Sequence, residues 1–302
     1  MSSPSPAAPG KGTLLREKLA AGRFVVTAEV DPPRGLDTQR ALAGAALLKE
    51  AGVDAINVGD TPLARPHMSA IALATMIQQQ VGIETIVHCV TRDRNLLALQ
   101  GDLMGMHALG LRNVLCLRGH VPRGAGTRAA GVWEVTPVGL IGILKGMNEG
   151  VDAAGESLDG ATSFLIGGAA TPAAPLEVEA KLIRQKKEAG VDFVITQPVY
   201  DAALVERYVE AVGHLEIPIL LAVMPLLSHR NAEFIQREMT GVSIPEEARE
   251  RIRRAGDEAP AEGLKMAREL IEAVRDKVSG ICVMSSLGRF DVAADLVAWL
   301  RG

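Results

Sequence analysis

Charged and polar residues stand at the ends of short apolar runs along this chain. The segment 115–120 (LCLRGH) is the most informative, because Arg118 and His120 follow such a run directly. Acid, imidazole, guanidinium and amide groups in these positions could bind an anionic ligand and exchange protons with it. The other candidates of this kind are Glu29, Asp31, Asn57, Asp60, His88, Thr91, Gln197, Tyr200, Ser285, Ser286 and Arg289.

Glu29 shares strand parity with Thr27 and Asp31, so the three side chains are predicted to face the same side. An enclosed carboxylate there has two interpretations. It could pair with Arg118 or cap a helix predicted to begin near Leu36. Alternatively, it could be a general acid whose pKa burial raises, suited to protonating a substrate nitrogen.

Three further residues also have a structural and a functional interpretation. His88 ends an apolar run and is either a core residue or a ligand contact. Gln197 could satisfy the donors and acceptors of a pterin-like ring, or only bond the backbone before Pro198. Arg118 needs an anion or an acid beside it, such as a flavin diphosphate, flavin carbonyl groups or Glu29.

Eight β-branched runs alternate with longer amphipathic segments, which predicts βα units in a parallel sheet. Eight strands in 302 residues indicate an α/β fold, a single (β/α)8 TIM barrel over residues 13–302, with its chemistry at the C-terminal strand ends. The predicted strands are Phe24–Val30, Ala55–Val58, Glu84–Val90, Asn113–Leu117, Ser163–Ile166, Asp192–Thr196, Pro218–Val223 and Gly280–Met284.

Glycine-capped helix ends support this assignment. The phrases at 49–54 (KEAGVD) and 187–192 (KEAGVD) are identical, with a cationic helix end, a glycine cap and the next strand. A doubly wound dinucleotide fold is the rival, but the glycine-rich stretch from Gly124 to Gly131 follows Pro122 and does not open a helix. Within the long connection 121–162, the segment Leu140–Met147 is predicted to be helical, and 239–261 to be a charged surface helix.

Composition restricts the class of partner. A net charge of −4 gives no reason to expect nucleic acid or an anionic membrane, and 48% hydrophobic residues suffice for a large core. The segment 1–12 reads as a disordered tail, and no apolar run reaches transmembrane length. Three separated cysteines predict buried thiols, no metal site and a cytoplasmic protein. The oligomeric state, a homo-oligomer included, stays open.

Distributed phrases resemble methylenetetrahydrofolate reductases from Phe24 to about Leu300, most of all the reductase half of bifunctional bacterial homocysteine methyltransferase/reductases. Residues 27–33 (TAEVDPP) are similar to the acid-bearing first strand of the family, and Arg118-Gly119 to its flavin loop. Residues 196–201 (TQPVYD), 224–226 (MPL), 228–234 (SHRNAEF) and 287–289 (LGR) resemble later strand ends and a helix.

The resemblance implies flavin-dependent reduction of 5,10-methylenetetrahydrofolate to 5-methyltetrahydrofolate with FAD and NAD(P)H. It implies that Glu29 is the acid, that Gln197 contacts nicotinamide and folate, and that Asn231 and Arg289 help to hold folate. His120, beside the flavin, completes the implied catalytic set. The implied FAD contacts are Gly59, Asp60, His88, Arg118, Gly119, His120, Ala169 and Lys186, the last of these otherwise a surface lysine by default.

Two departures from the family keep other functions open. His120 stands where the family has aspartate, and a neutral or cationic group there should raise the flavin potential. Gly59 stands where the family often has threonine. The alternatives are a flavin-free NADH-dependent reductase on the same barrel and a non-catalytic or auxiliary folate-binding subunit. A zinc methyltransferase is disfavoured, because no cysteine pair is present.

Overall fold

The computed structural model describes residues 13–122 and 129–302. Eight parallel strands form a closed barrel in chain order, which confirms the predicted TIM barrel. The predicted tail 1–12 and most of the glycine-rich stretch at Gly124 lie outside the described residues. The strands are β1 Val25–Val30, β2 Ala55–Val58, β3 Thr85–Val90, β4 Asn113–Leu117, β5 Leu165–Ala170, β6 Phe193–Thr196, β7 Ile219–Val223 and β8 Gly280–Met284.

One strand differs clearly from its prediction. The predicted strand Ser163–Ile166 is β5, which begins at Leu165 and continues to Ala170. Glycine and alanine have low strand propensities, so residues 167–170 (GGAA) do not predict a strand. Gly167 is needed there because a Cβ would lie 2.6 Å from the Phe193 ring of the next strand.

Helices surround the barrel and follow its strands. The helices are α1 Leu14–Ala20, α2 Gln39–Ala51, α3 Ala70–Met76, α4 Leu96–Ala108, α5 Pro137–Asn148, α6 Leu176–Ala189, α7 Ala202–Val212, α8 His229–Glu238, α9 Glu246–Ala255, α10 Ala259–Val274 and α11 Phe290–Arg301. Helix α5 confirms the predicted helical segment Leu140–Met147. The predicted single helix 239–261 is wrong in extent, because α9 covers only Glu246–Ala255 of it and α10 begins at Ala259. Pro245 precedes α9, so the helix begins only after it.

Glycine caps end the helices as predicted. Gly52 after α2 and Gly190 after α6 have φ values of 104° and 105°, which only glycine adopts readily. The next strand then begins within a few residues. Repetition of this turn in βα units explains why residues 49–54 and 187–192 have the same sequence.

Strand side chains alternate between two apolar clusters. Val25 and Ile86 pack inside the barrel with Leu15 of α1, whereas Val26 and Val87 pack between the sheet and the helices. Helix α1 closes the N-terminal end of the barrel, where the Glu84 carboxylate accepts the backbone N–H groups of Leu14 and Leu15. Apolar side chains and α1 therefore fill the N-terminal end of the barrel, and a ligand can enter only from the C-terminal end, called the mouth below.

The cysteines are buried and free, as predicted. Cys89 and Cys116 are neighbours on β3 and β4 and belong to the outer cluster, while Cys282 belongs to the interior one. Within residues 13–122 and 129–302, no group of three or more Cys, His, Asp or Glu side chains is placed to hold a metal ion. No helix in these ranges has the length and apolarity needed to cross a bilayer.

Candidate active site

A polar layer crosses the barrel interior above the apolar cluster. The Asn57 amide donates from Nδ2 to Thr27 Oγ1 over 3.0 Å and to Cys282 Sγ over 3.4 Å. Its Oδ1 lies 3.4 Å from His88 Nε2. Burial lowers the pKa of His88 to about 4, so the imidazole is neutral at physiological pH. His88 and Asn57, from neighbouring strands, thus form a neutral polar surface at the bottom of the mouth.

Glu29 stands one step above this layer on β1, half-buried and in register with Asn57 and Met284. Its backbone carbonyl accepts the Ser285 hydroxyl over 2.8 Å. In the described part of the chain, its carboxyl group has no hydrogen-bond or ion-pair partner. Burial raises the pKa of this carboxyl well above its ordinary value, and the neighbouring charge of Asp31 raises it further. A carboxyl group with a raised pKa therefore faces the mouth.

The structural alternatives for Glu29 are not observed. Arg118 is exposed and stacks over the ring of Trp133 at 4.9 Å, rather than pairing with the acid. Helix α2 begins at Gln39, whose N–H is accepted by Asp37. The geometry thus favours the interpretation of Glu29 as a proton donor.

Asp60 links the ends of β2 and β3. Its Oδ2 accepts the N–H of Val90 over 3.0 Å and Nη1 of Arg94 over 2.7 Å. The side chain is buried, and a buried carboxylate is stable when such partners satisfy it. Asp60 therefore has a structural task, and its implied contact with FAD stays a prediction.

Arg92 was not among the residues predicted from sequence, yet it lies 2% exposed at the same mouth. Its guanidinium binds the Asp93 carboxylate at 2.6 and 2.5 Å and donates to the His120 carbonyl over 2.8 Å. The sequence signal for it is a run of three charged residues, 92–94 (RDR), one residue after a buried strand. His120 itself is half-buried and follows Gly119, which has a φ of 83°.

Lys186 is not the surface lysine that sequence statistics indicate. It is 4% exposed, lies between α6 and β5, and donates from Nζ to the carbonyl of Ala169. The glycine at 168 makes room, since a Cβ there would lie 3.3 Å from Lys186 Cδ. Burial lowers the pKa of Lys186, while the Glu179 carboxylate partly opposes this shift.

The folate residues implied by resemblance lie across the mouth from β3 and β4. Gln197 is half-buried beyond β6, and its N–H donates to Ala170 over 2.7 Å. Asn231 accepts the Leu227 N–H over 3.1 Å and donates to the Ser286 hydroxyl over 2.9 Å. The amide of Asn231 thereby joins the ends of β7 and β8.

Arg289 follows β8 and pairs with Asp291 at 2.6 Å. It borders a small surface cleft beside the Asn231–Ser286 contact. The cleft is lined by Pro225, Leu227, Met284, Ser285, Ser286, Arg289, Val292 and Ala293. Hydroxyl groups and an exposed guanidinium thus adjoin apolar side chains at the ends of β7 and β8.

The family profile described as methylenetetrahydrofolate reductase matches residues 14–286, nearly all of the barrel. The chain belongs to this family. Methylenetetrahydrofolate reductase 2 of Saccharomyces cerevisiae is 30% identical over 192 residues, covering 60% of this chain and 29% of the yeast protein. Methylenetetrahydrofolate reductase 2 of Schizosaccharomyces pombe is 25% identical over 70% of this chain and 34% of its own length.

The chain thus spans about a third of the length of these relatives. Among solved structures, a Clostridium thermocellum protein described as binding two copies of 5-methyl-5,6,7,8-tetrahydrofolic acid superposes with a TM-score of 0.66. Its sequence identity is 16%, with 95% of this chain and 99% of that chain covered. At this identity the likeness shows a shared fold.

Within the methylenetetrahydrofolate reductase family, Gly59 has a structural reason in this chain. A Cβ at residue 59 would lie 2.3 Å from Asp31 Oδ1 and 3.2 Å from Pro62 Cγ. A threonine would therefore require the Asp31 carboxylate to move. Glu29 and Gln197 both lie at the mouth, at the ends of β1 and β6.

Proposed function

We propose that this chain reduces 5,10-methylenetetrahydrofolate to 5-methyltetrahydrofolate, with NAD(P)H as the electron donor and FAD as the cofactor. The observation that carries the proposal is the Glu29 carboxyl, which lies at the barrel mouth without a hydrogen-bond partner in the described part of the chain and has a pKa that burial raises. Membership of the family supports it, as do relatives named for NADPH- and NADH-dependent enzymes. The folate described for the Clostridium thermocellum protein supports the substrate class.

In the proposed first step, Glu29 is the general acid, a role that its raised pKa favours. Its carboxyl O–H donates a proton to a bridging nitrogen of the folate, and the bond from that nitrogen to the one-carbon unit breaks. The electron pair stays on the protonated nitrogen and leaves an iminium carbon. Addition of a hydride to this carbon gives the methyl group. A carboxyl with an ordinary pKa would be ionised at pH 7 and could not serve.

The folate ring and tail need different partners. Gln197 can both donate to and accept from a pterin ring, and its side-chain amide has no hydrogen-bond partner within the described ranges. Arg289 is nearly half-exposed despite its pair with Asp291 and can attract a carboxylate of the folate tail. We assign Asn231 to the same site, since its amide shapes the adjoining turn.

We assign the flavin dinucleotide to the side of the mouth formed by the ends of β2 to β5. A planar ring can lie against the small residues of β5, including Ala169, and beside the neutral His88, Gly119 and His120. Arg118 offers an exposed cation for phosphate, and Gly59, Asp60 and Lys186 complete the proposed set. Bound flavin supplies hydride transfer between the nicotinamide and the folate.

One observation favours the flavin-free alternative. The ammonium group of Lys186, proposed to lie near the diphosphate, is turned inward onto the Ala169 carbonyl. Reduction by NADH on the same barrel would use Glu29 and Gln197 without needing this cation. We place either enzyme in the cytoplasm, in agreement with three free cysteines, and its product in methionine biosynthesis.

The test combines a visible absorption spectrum with an activity assay. We expect flavin bands in the purified or FAD-reconstituted protein and NAD(P)H-dependent formation of 5-methyltetrahydrofolate. Activity without flavin would establish the flavin-free enzyme instead. Folate binding without turnover would indicate the auxiliary subunit and overturn the proposal.

Substitution at the acid tests its role. Glu29→Gln should lower folate reduction by about 100-fold or more, since general acids contribute that much. Oxidation of NADH by an artificial quinone acceptor should be spared, because it needs no proton from Glu29. Glu50→Gln, at the exposed end of α2, is the matched control. Equal loss of both activities in Glu29→Gln would refute the assignment.

A further inference from the structure

One buried guanidinium joins three loops at the barrel mouth. Arg92, after β3, donates to the His120 carbonyl in the loop after β4. It also donates from Nη2 to the hydroxyl of Thr61 in the loop after β2. Asp93 holds the guanidinium by two bonds and accepts the Thr61 hydroxyl over 2.8 Å. The backbone carbonyl of Arg92 accepts the N–H of Val132 over 2.7 Å.

The loops that Arg92 joins have backbone conformations that need support. Thr61 has a φ of 46°, a left-handed conformation that costs energy for a β-branched residue and persists when its surroundings hold it. Gly119 packs over the guanidinium so closely that a Cβ would lie 3.1 Å from Arg92 Nη1. Loss of the guanidinium would therefore release both loops at once.

We propose that Arg92 is a positioning residue that sets the backbone of the dinucleotide-binding wall. The inference rests on the proposed function, which assigns the loops after β2, β3 and β4 to FAD and NAD(P)H. Arg92 is 2% exposed and its hydrogen bonds go to protein groups, so it acts through Thr61 and His120. The folate side, formed by the ends of β6 to β8, makes none of these contacts.

A purely structural role would give a different result, which a matched arginine can reveal. Arg112 lies at the opposite end of β4, half-buried, and its Nη1 donates to the carbonyls of His107 and Leu111 over 2.6 and 3.0 Å. A lysine has neither the planar fork nor the number of donors to replace either guanidinium. Arg92→Lys and Arg112→Lys thus each remove guanidinium hydrogen bonds, the first at the mouth and the second at the opposite end of the barrel.

The first measurement is amide hydrogen–deuterium exchange of the ligand-free variants. Arg92→Lys should exchange faster than wild type in peptides covering residues 59–64 and 118–122, while Arg112→Lys should not. The second is the dissociation constant of FAD, NADH and 5-methyltetrahydrofolate. In Arg92→Lys, the constants for FAD or NADH should rise by about tenfold, with the constant for the folate within about twofold.

Equal behaviour of the two arginine variants in exchange and binding would overturn the inference. A uniform rise in all three dissociation constants would do the same, because it would indicate general loss of folding. If Arg92→Lys does not fold, Thr61→Ala removes only the hydroxyl that contacts Arg92 and Asp93, and it should produce the same selective pattern. Wild-type protein that binds neither FAD nor NADH would refute the proposed function, and the exchange comparison would then decide the inference by itself.

Discussion

The carboxylate of Asp31 lies against the backbone of Gly59, so closely that a Cβ on residue 59 would be 2.3 Å from Asp31 Oδ1. Asp31 follows β1 and Gly59 follows β2, so the contact joins neighbouring strand ends. It also keeps a negative charge beside Glu29, two residues earlier on the same side of the chain. The proton affinity of Glu29 therefore depends in part on a glycine that follows another strand.

Gly59→Ala should displace the Asp31 carboxylate and lower the pKa of Glu29. A general acid works only when protonated, so folate reduction falls as pH rises through its pKa. The alkaline limb of the pH–rate profile should consequently move to lower pH. Asp31→Asn removes the same charge and should move the limb in the same direction. Stability should change by less than about 1 kcal/mol, because an exposed side chain can rotate away.

Gly35→Ala is the control for this prediction, since a Cβ there meets nothing within 4 Å. In an Asp31→Asn background, Gly59→Ala should add no further shift, because the charge it would displace is already gone. An additive shift in the double variant would show that the two residues act on Glu29 separately.

The sequence was sufficient for the barrel and for the residues that converge on its interior. Period-two alternation and glycine-capped turns predict eight βα units, and strand parity alone places Glu29, Asn57 and His88 on one side. The exception is β5, because Gly167 and Gly168 carry no strand signal. Their reason is tertiary, since the Phe193 ring and the Lys186 side chain occupy the space that side chains there would need.

Contacts distant in sequence could not be predicted in this way. Lys186 is buried because of a glycine on the strand beside it, 18 residues earlier in the chain. Arg92 donates to a carbonyl group 28 residues away. Every residue has a backbone carbonyl, so the residue type does not indicate which one accepts this bond. The partnerships of Asp60 with Arg94 and of Asn231 with Ser286 are of the same kind. Local sequence thus identifies candidates, whereas packing decides which charges are already satisfied.

His120→Asp should lower the midpoint potential of bound flavin. A carboxylate near the ring disfavours the anionic reduced form, and a differential interaction of ~1.4 kcal/mol corresponds to about 30 mV for a two-electron couple. Spectroelectrochemical titration measures the shift, and folate turnover should rise with it. His214→Asp, exposed after α7, should leave the potential unchanged. An unchanged potential in His120→Asp would show that residue 120 does not face the flavin.

Arg118→Met and Lys186→Met should differ in their effects on FAD binding and on folding stability. Arg118 is exposed, so its loss should weaken FAD binding by about tenfold with little change in stability. Lys186 is buried against the Ala169 carbonyl, and its loss should lower the free energy of unfolding by about 2 kcal/mol. Urea denaturation and FAD titration separate the two effects. A larger loss of FAD affinity in Lys186→Met would support a direct diphosphate contact.

Asp54 should make the free energy of unfolding depend on pH in the acid range. Burial by itself raises the pKa of this carboxyl, but bonds from Lys18, the Val26 N–H and Arg301 outweigh that effect and lower the pKa overall. A folded-state pKa below the unfolded value gives stability that is present above the unfolded pKa, close to 4, and is lost as pH falls through the folded pKa. Wild-type protein should therefore lose more stability between about pH 5 and pH 3 than Asp54→Asn does.

The magnitude of this acid effect follows from charge-assisted hydrogen bonds at a side chain that is 6% exposed. Near pH 7, Asp54→Asn should lower the free energy of unfolding by about 2 kcal/mol, and the difference should shrink below about pH 4. Urea titrations at several pH values measure both quantities. Asp257→Asn, at an exposed site before α10, should follow the wild-type curve. A difference independent of pH would mean that Asp54 acts by packing, because a lost ionic contribution must vanish once the carboxyl is protonated in both states.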